Sequence, residues 1–146
     1  MENIYPYALL VHIFCAIIFI GYLFFDVVIF SRAKKSLDEK TANLMEKAIS
    51  SKAIKIMPIC VLLLLLTGGM MMSKWVNKEL GYFDSSLQVL FMIKVSLACI
   101  IFLAVIFSLS CKFIFKIPNP LAKIIHPLAL TLAICIVFLA KFMFYL

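Results

Sequence analysis

Four long apolar runs, at about 6–30, 54–75, 87–113 and 121–145, alternate with short polar stretches along the chain. Each approaches or exceeds the roughly 20 residues with which an α-helix crosses a hydrocarbon core of about 30 Å. The chain is rich in phenylalanine and β-branched residues, yet strands are not expected. A membrane barrel alternates apolar and polar positions, and these runs are continuous. The pattern predicts an all-α, polytopic membrane protein: one domain, residues 1–146, folded as an antiparallel bundle of four transmembrane helices.

The polar stretches have structure of their own. Ser36-Leu37-Asp38-Glu39 has the capping-box arrangement, in which a hydroxyl and a carboxylate each satisfy an orphan backbone N–H. It predicts a helix starting near Leu37, a cytoplasmic extension over about 37–53 that runs on into the second span. A solvated extension is the favoured reading of this segment, with a partner-docking surface as the alternative. Asn119-Pro120 marks the other cytoplasmic turn, because the residue before a proline is pushed out of the helical region.

Composition agrees with solvation by lipid: 66% of the residues are hydrophobic and 14% charged, against about half and about a quarter in a soluble domain. Charge placement then sets orientation. Arg32, Lys34, Lys35, Lys40, Lys47, Lys52 and Lys55 crowd the first connection, and Lys112, Lys116 and Lys123 the third. The second has only Lys74 and Lys78, offset by Glu79 and Asp84. Both termini are therefore expected outside (N-out/C-out), with the two basic connections in the cytoplasm. No basic residue precedes the first span, so a cleaved leader is not expected. The net charge of +7 reads as an orientation signal beside anionic lipid, and no nucleic-acid partner is expected.

Soluble-enzyme chemistry has no foothold. Cys15, Cys60, Cys99, Cys111 and Cys135 lie in or at the edge of apolar runs without a CxxC pair, as small hydrophobes do. Walker, HExxH, GxSxG and GxGxxG motifs do not occur.

Ionisable groups inside a span are costly and so carry the information. At about 1.5 Å per residue, His12 and Lys94 lie at one level of the outer half, six or seven residues inside their spans. Gly68-Gly69-Met70-Met71-Met72 reaches the same level from the second span. Glycine permits close approach of a backbone or a flat cofactor, and methionine supplies soft sulfur. The candidate cofactor site is therefore His12, Lys94, Gly68 and Gly69, with His12 and Met71 as metal ligands. Asp26, two heptads beyond His12, and His126 form a second polar pair in the inner half. His12 and His126 are separated by on the order of 20 Å along the membrane normal, too far to ligate one haem together.

The sequence His12, then Phe19-Ile20-Gly21-Tyr22-Leu23-Phe24-Phe25, Ile56-Met57-Pro58, Gly68-Gly69 and Lys94 resembles the copper-resistance D family. It is also similar to the related four-helix bacterial membrane protoporphyrinogen oxidases, which bind haem b. The resemblance implies a multi-pass protein of the bacterial inner (cytoplasmic) membrane, with His12 at the haem-associated histidine and Lys94 at the lysine of the third helix. The chain departs from the oxidases where they have Leu-Pro-Arg and it has Asp26-Val27-Val28. That removes a bidentate anchor for a porphyrin carboxylate, so protoporphyrinogen oxidation is not implied.

Three functions stay open. One is a haem-b redox protein, with Lys94 offsetting a propionate. Another is copper handling through His12 and methionine sulfur. The third is a non-catalytic homo-oligomer or subunit of a larger membrane complex, packing through small residues such as Ala133 and Ala140.

Overall fold

A computed structural model describes residues 4–145. They contain four helices long and apolar enough to cross a membrane and no strand, with a single bridge between Asn77 and Gly81. The chain divides into two compact units, Met1–Met70 and Met71–Leu146.

The first unit is a helical hairpin. Helix α1 (Tyr5–Ser36) opens with Pro6 in its first turn, where the missing N–H removes no helical bond. Ala8, Cys15, Phe19 and Leu23 are buried at seven- and four-residue spacing, and half-buried His12 fills the same stripe between Ala8 and Cys15. From Phe25 to Phe30 the helix widens into a π turn that contains Asp26, and the Ser31 N–H reaches back five residues to the Asp26 carbonyl. The Ser31 hydroxyl donates to the Val27 carbonyl on the same stretch. A 3₁₀ turn at Lys34–Ser36 then tightens the end.

Helix α2 (Glu39–Met72) returns antiparallel to α1, burying Ala53, Cys60 and Thr67 at heptad spacing. Its cap differs from the capping-box expectation at Ser36. The Ser36 hydroxyl donates to the Ala33 carbonyl, and Leu37 is extended (φ −106°, ψ 154°). That puts Asp38 in the capping position, where its carboxylate accepts from the Thr41 N–H at 3.0 Å. Glu39, expected third in the helix, is first. The helix is continuous from the expected extension into the second span.

Two side-chain contacts set the register of this hairpin. His12 meets Thr67 at one end, and Lys34 meets Glu46 at 2.8 Å at the other. The Lys34 ammonium also lies 5.5 Å from the centroid of the Phe30 ring. The register puts Asp26 level with Ala53 and Ile54.

In the second unit, helices α3 (Ser86–Phe113) and α4 (Ala122–Phe142) pack together, with Ala129 and Ala133 buried on α4. Small side chains let the backbones approach. At their turn the Asn119 amide donates to the Ser108 hydroxyl at 3.0 Å, and its carbonyl accepts from the Leu121 N–H at 2.9 Å. Lys116 takes a left-handed conformation (φ 52°) as the chain leaves α3. At the opposite end Val76, Phe91 and Met143 form a small core with Met72 and Trp75 against it.

Between 11% and 22% of each span's most apolar window is buried. Ile17, Leu103 and Phe138, in three different helices, are each at least 60% exposed. A water-soluble domain does not present apolar surface on this scale, whereas lipid covers it without cost.

Candidate functional site

The best-defined polar geometry within a span is at His12. Thr67 is buried on α2 at 7% exposure, and its hydroxyl donates to the Leu63 carbonyl one turn back at 2.6 Å. A hydroxyl has one proton. Thr67 Oγ1 also lies 2.8 Å from His12 Nδ1. With the hydroxyl proton directed to Leu63, this contact suits the neutral tautomer that carries its proton on Nδ1 and its lone pair on Nε2. Gly68 makes the room: a Cβ there would lie 3.3 Å from His12 Cε1 and 3.8 Å from Nδ1. Gly69 has nothing within 4 Å of the equivalent position. A histidine whose Nδ1–H is held by an acceptor is oriented for ligation through Nε2, as histidine ligands commonly are.

The other sequence-derived candidates divide between the units. Asp26 shares the first unit with His12, Gly68 and Gly69, half-buried in the π turn of α1. Met71, Lys94 and His126 belong to the second unit, and all three are half-buried. The Lys94 ammonium stands 5.0 Å from the Phe91 ring centroid, one turn back on α3, which partly compensates for its loss of water. Of the methionines, Met70 is exposed and Met72 packs on the small core. His126 precedes Pro127 in the first turns of α4. Among the described residues, no three His, Cys, Asp or Glu side chains gather as they would around a metal ion.

Two features went unread in the sequence. Thr67 is one, a lone hydroxyl between a leucine run and the glycine pair. Gln88 is the other, buried to 6% exposure near the start of α3. Its carboxamide N–H groups donate to the carbonyls of Leu80 (2.8 Å), Gly81 (3.2 Å) and Trp75 (3.3 Å), and its oxygen accepts from the Asp84 N–H at 2.9 Å. Ser85 caps α3 by accepting from the Gln88 N–H. Asn77 accepts from the N–H groups of Glu79 and Leu80. The loop 73–85 is thus fixed around one amide, and beside it lies an open cleft of about 390 Å³ lined by Lys74, Trp75, Leu80, Asp84, Leu87 and Gln88.

Together, the four apolar helices of membrane length define the class: an all-α, multi-pass membrane protein. Comparison of the chain with protein-family models, curated proteins and solved structures found no match.

Proposed function

We propose that the chain is a haem-b-binding redox protein of the bacterial inner membrane, with His12 ligating the iron through Nε2. The observation that supports this is the 2.8 Å contact of His12 Nδ1 with Thr67 Oγ1, which orients the ring and leaves Nε2 as the ligating nitrogen when the proton is on Nδ1. Haem brings four equatorial nitrogens of its own, so one oriented histidine is enough to begin a site.

On this reading the cofactor sits against His12 and Gly68, in the outer half of an N-out/C-out bundle. Bound haem would supply one-electron exchange at its iron. The chain's part is to hold the ligand nitrogen on its axis, through Thr67 and the space left by Gly68, and to exclude water with apolar helices so that the low dielectric tunes the potential.

The test is an oxidised-minus-reduced spectrum, with metal analysis, of protein purified in detergent after expression with ample haem. A Soret band that shifts on reduction and is lost in His12→Ala is expected. Colourless protein would contradict the proposal; stoichiometric copper in the same sample would assign the site to copper, and a co-purifying membrane partner without cofactor would assign the chain to assembly.

A further inference from the structure

The N-terminal part of α2 carries a charge pattern independent of His12. Helix α2 is 34 residues long, about 50 Å at 1.5 Å per residue, whereas a hydrocarbon core is about 30 Å thick. A tilt of about 20° shortens its reach by only a few Å, so about 20 Å of a helix that crosses the core stands clear of it. Every charged residue of α2 lies between Glu39 and Lys55, and the remainder to Met72 is uncharged, which identifies the free end.

Packing fixes the rotation of this helix. Ala42, Ala53, Cys60 and Thr67 mark its buried face, and Thr67 meets His12 of α1. At about 100° per residue, Lys40, Leu44, Lys47, Ser51 and Lys55 all fall within about 40° of the opposite direction, and all five are exposed. The acids of the helix lie elsewhere: Glu39 and Glu46 are each more than about 100° from the centre of this stripe, and Glu46 is paired with Lys34 at 2.8 Å. Lys40, Lys47 and Lys55 make no ion pair with a described residue. They recur at rises of about 10 Å and 12 Å along one face, with Leu44, 61% exposed, between the first two.

Lipid does not match this pattern. A headgroup layer adds about 5–7 Å to each side of the hydrocarbon, and Lys40 stands about 22 Å along the axis from Lys55. An occupant must therefore run along the helix. Single-stranded nucleic acid is held by rings that stack its bases, and no residue from 37 to 55 is aromatic. A second copy of the stripe would set lysine against lysine. An amphipathic helix fits, with carboxylates one heptad apart, about 10 Å, on either side of an apolar residue.

We propose that the stripe of Lys40, Leu44, Lys47 and Lys55 is a docking face for an acidic amphipathic helix of a partner protein, an apolar side chain of which covers Leu44. The full chain is placed in phosphatidylcholine nanodiscs, and binding of two fluorescent helical peptides of equal charge is read by anisotropy. One has glutamates at heptad spacing around a central leucine, and the other has the same residues scrambled. The phased peptide is expected to bind more tightly and to weaken as salt rises. Lys47→Gln is expected to weaken it about threefold and Leu44→Ser about fivefold. Lys52→Gln, an equal loss of charge at an exposed residue about 100° round the helix, is expected to change it by less than about 1.5-fold.

Acetylation of the lysines, read by mass spectrometry, tests lipid as the occupant. The phased peptide is expected to protect Lys40 and Lys47, and phosphatidylglycerol added to the discs to protect Lys55 alone of the three. Equal binding of the two peptides, equal losses from Lys47→Gln and Lys52→Gln, or protection of Lys40 and Lys47 by phosphatidylglycerol would overturn the proposal.

Discussion

Thr67 in the first unit and Gln88 in the second are the two buried polar side chains among the described residues, and their surroundings differ. Gln88 stands at the end of a span, and its whole amide is engaged by the backbone of an irregular loop that has few regular hydrogen bonds. Thr67 lies within a span, where the helical backbone is already paired. Its hydroxyl can lean on the Leu63 carbonyl and still accept from His12. The amide therefore supports structure, while the hydroxyl acts through another side chain by holding its ring in place. Polar groups at similar burial thus differ in role according to what their neighbouring backbone lacks.

Replacement of each residue by an apolar near-isostere is the sharpest way to break this contrast. Gln88→Leu strands several loop groups and is expected to cost about 2–4 kcal/mol, read as unfolding in mixed detergent through Trp75 emission. Thr67→Val should cost at most about 1 kcal/mol, because the Leu63 carbonyl keeps its helical partner. Equal losses in the two variants would remove the distinction. In haem affinity the order reverses: Thr67→Val is expected to weaken binding about tenfold, the lower end for loss of a histidine's supporting partner, with Thr67→Ser restoring it and Gln88→Leu leaving it near the parent.

The glycine pair offers a finer comparison. Gly68→Ala sets a methyl 3.3 Å from His12 Cε1, so the ring must shift by a few tenths of an ångström. A displaced Soret maximum is expected, with a stability change within about 1 kcal/mol. Gly69→Ala meets nothing within 4 Å and should leave the spectrum unchanged while gaining up to about 1 kcal/mol of helix propensity. Identical spectra for the two variants would show that Gly68 does not position the ring.

The smallest effect concerns the cap of α2. Hydrogen bonds from the Thr41 side chain and N–H hold the Asp38 carboxyl below its ordinary value of 3.8. A depressed carboxyl contributes stability that is complete above the ordinary value and is lost as pH falls through the lowered one. Nuclear magnetic resonance of the first turn of α2 between pH 5 and pH 2 should therefore show it fraying only at the acid end. Asp38→Asn should abolish that dependence.

The spans were legible because lipid demands unbroken apolar runs and leaves the helix as the backbone's simplest closed solution. Rise per residue is constant, and counting it brings His12 to the level of Gly68, which it meets. Rotation about each helix axis was not legible. It decides that Thr67, rather than one of the methionines about a turn further along α2, meets the imidazole Nδ1, and it follows from packing that no single helix encodes. The π turn around Asp26 and the loop bonds of Gln88 were hidden for a related reason. An i+5 hydrogen bond leaves no periodic trace over six residues, and a glutamine at the end of an apolar run looks like any interfacial residue. The capping signal was read one motif too early: Ser36 and Asp38 both suit the role, and the extended Leu37 between them selects Asp38.

The central claim is that His12 carries its proton on Nδ1, toward Thr67, and ligates haem through Nε2. The chain has two histidines, so selective ¹⁵N labelling with His126→Gln isolates one imidazole. Its two nitrogen shifts are read in detergent before and after addition of diamagnetic ferrous–CO haem. The account predicts a protonated Nδ1 in both spectra and a lone-pair Nε2 whose resonance moves when haem is added. A proton on Nε2, or an Nε2 resonance that does not move with haem, would contradict it.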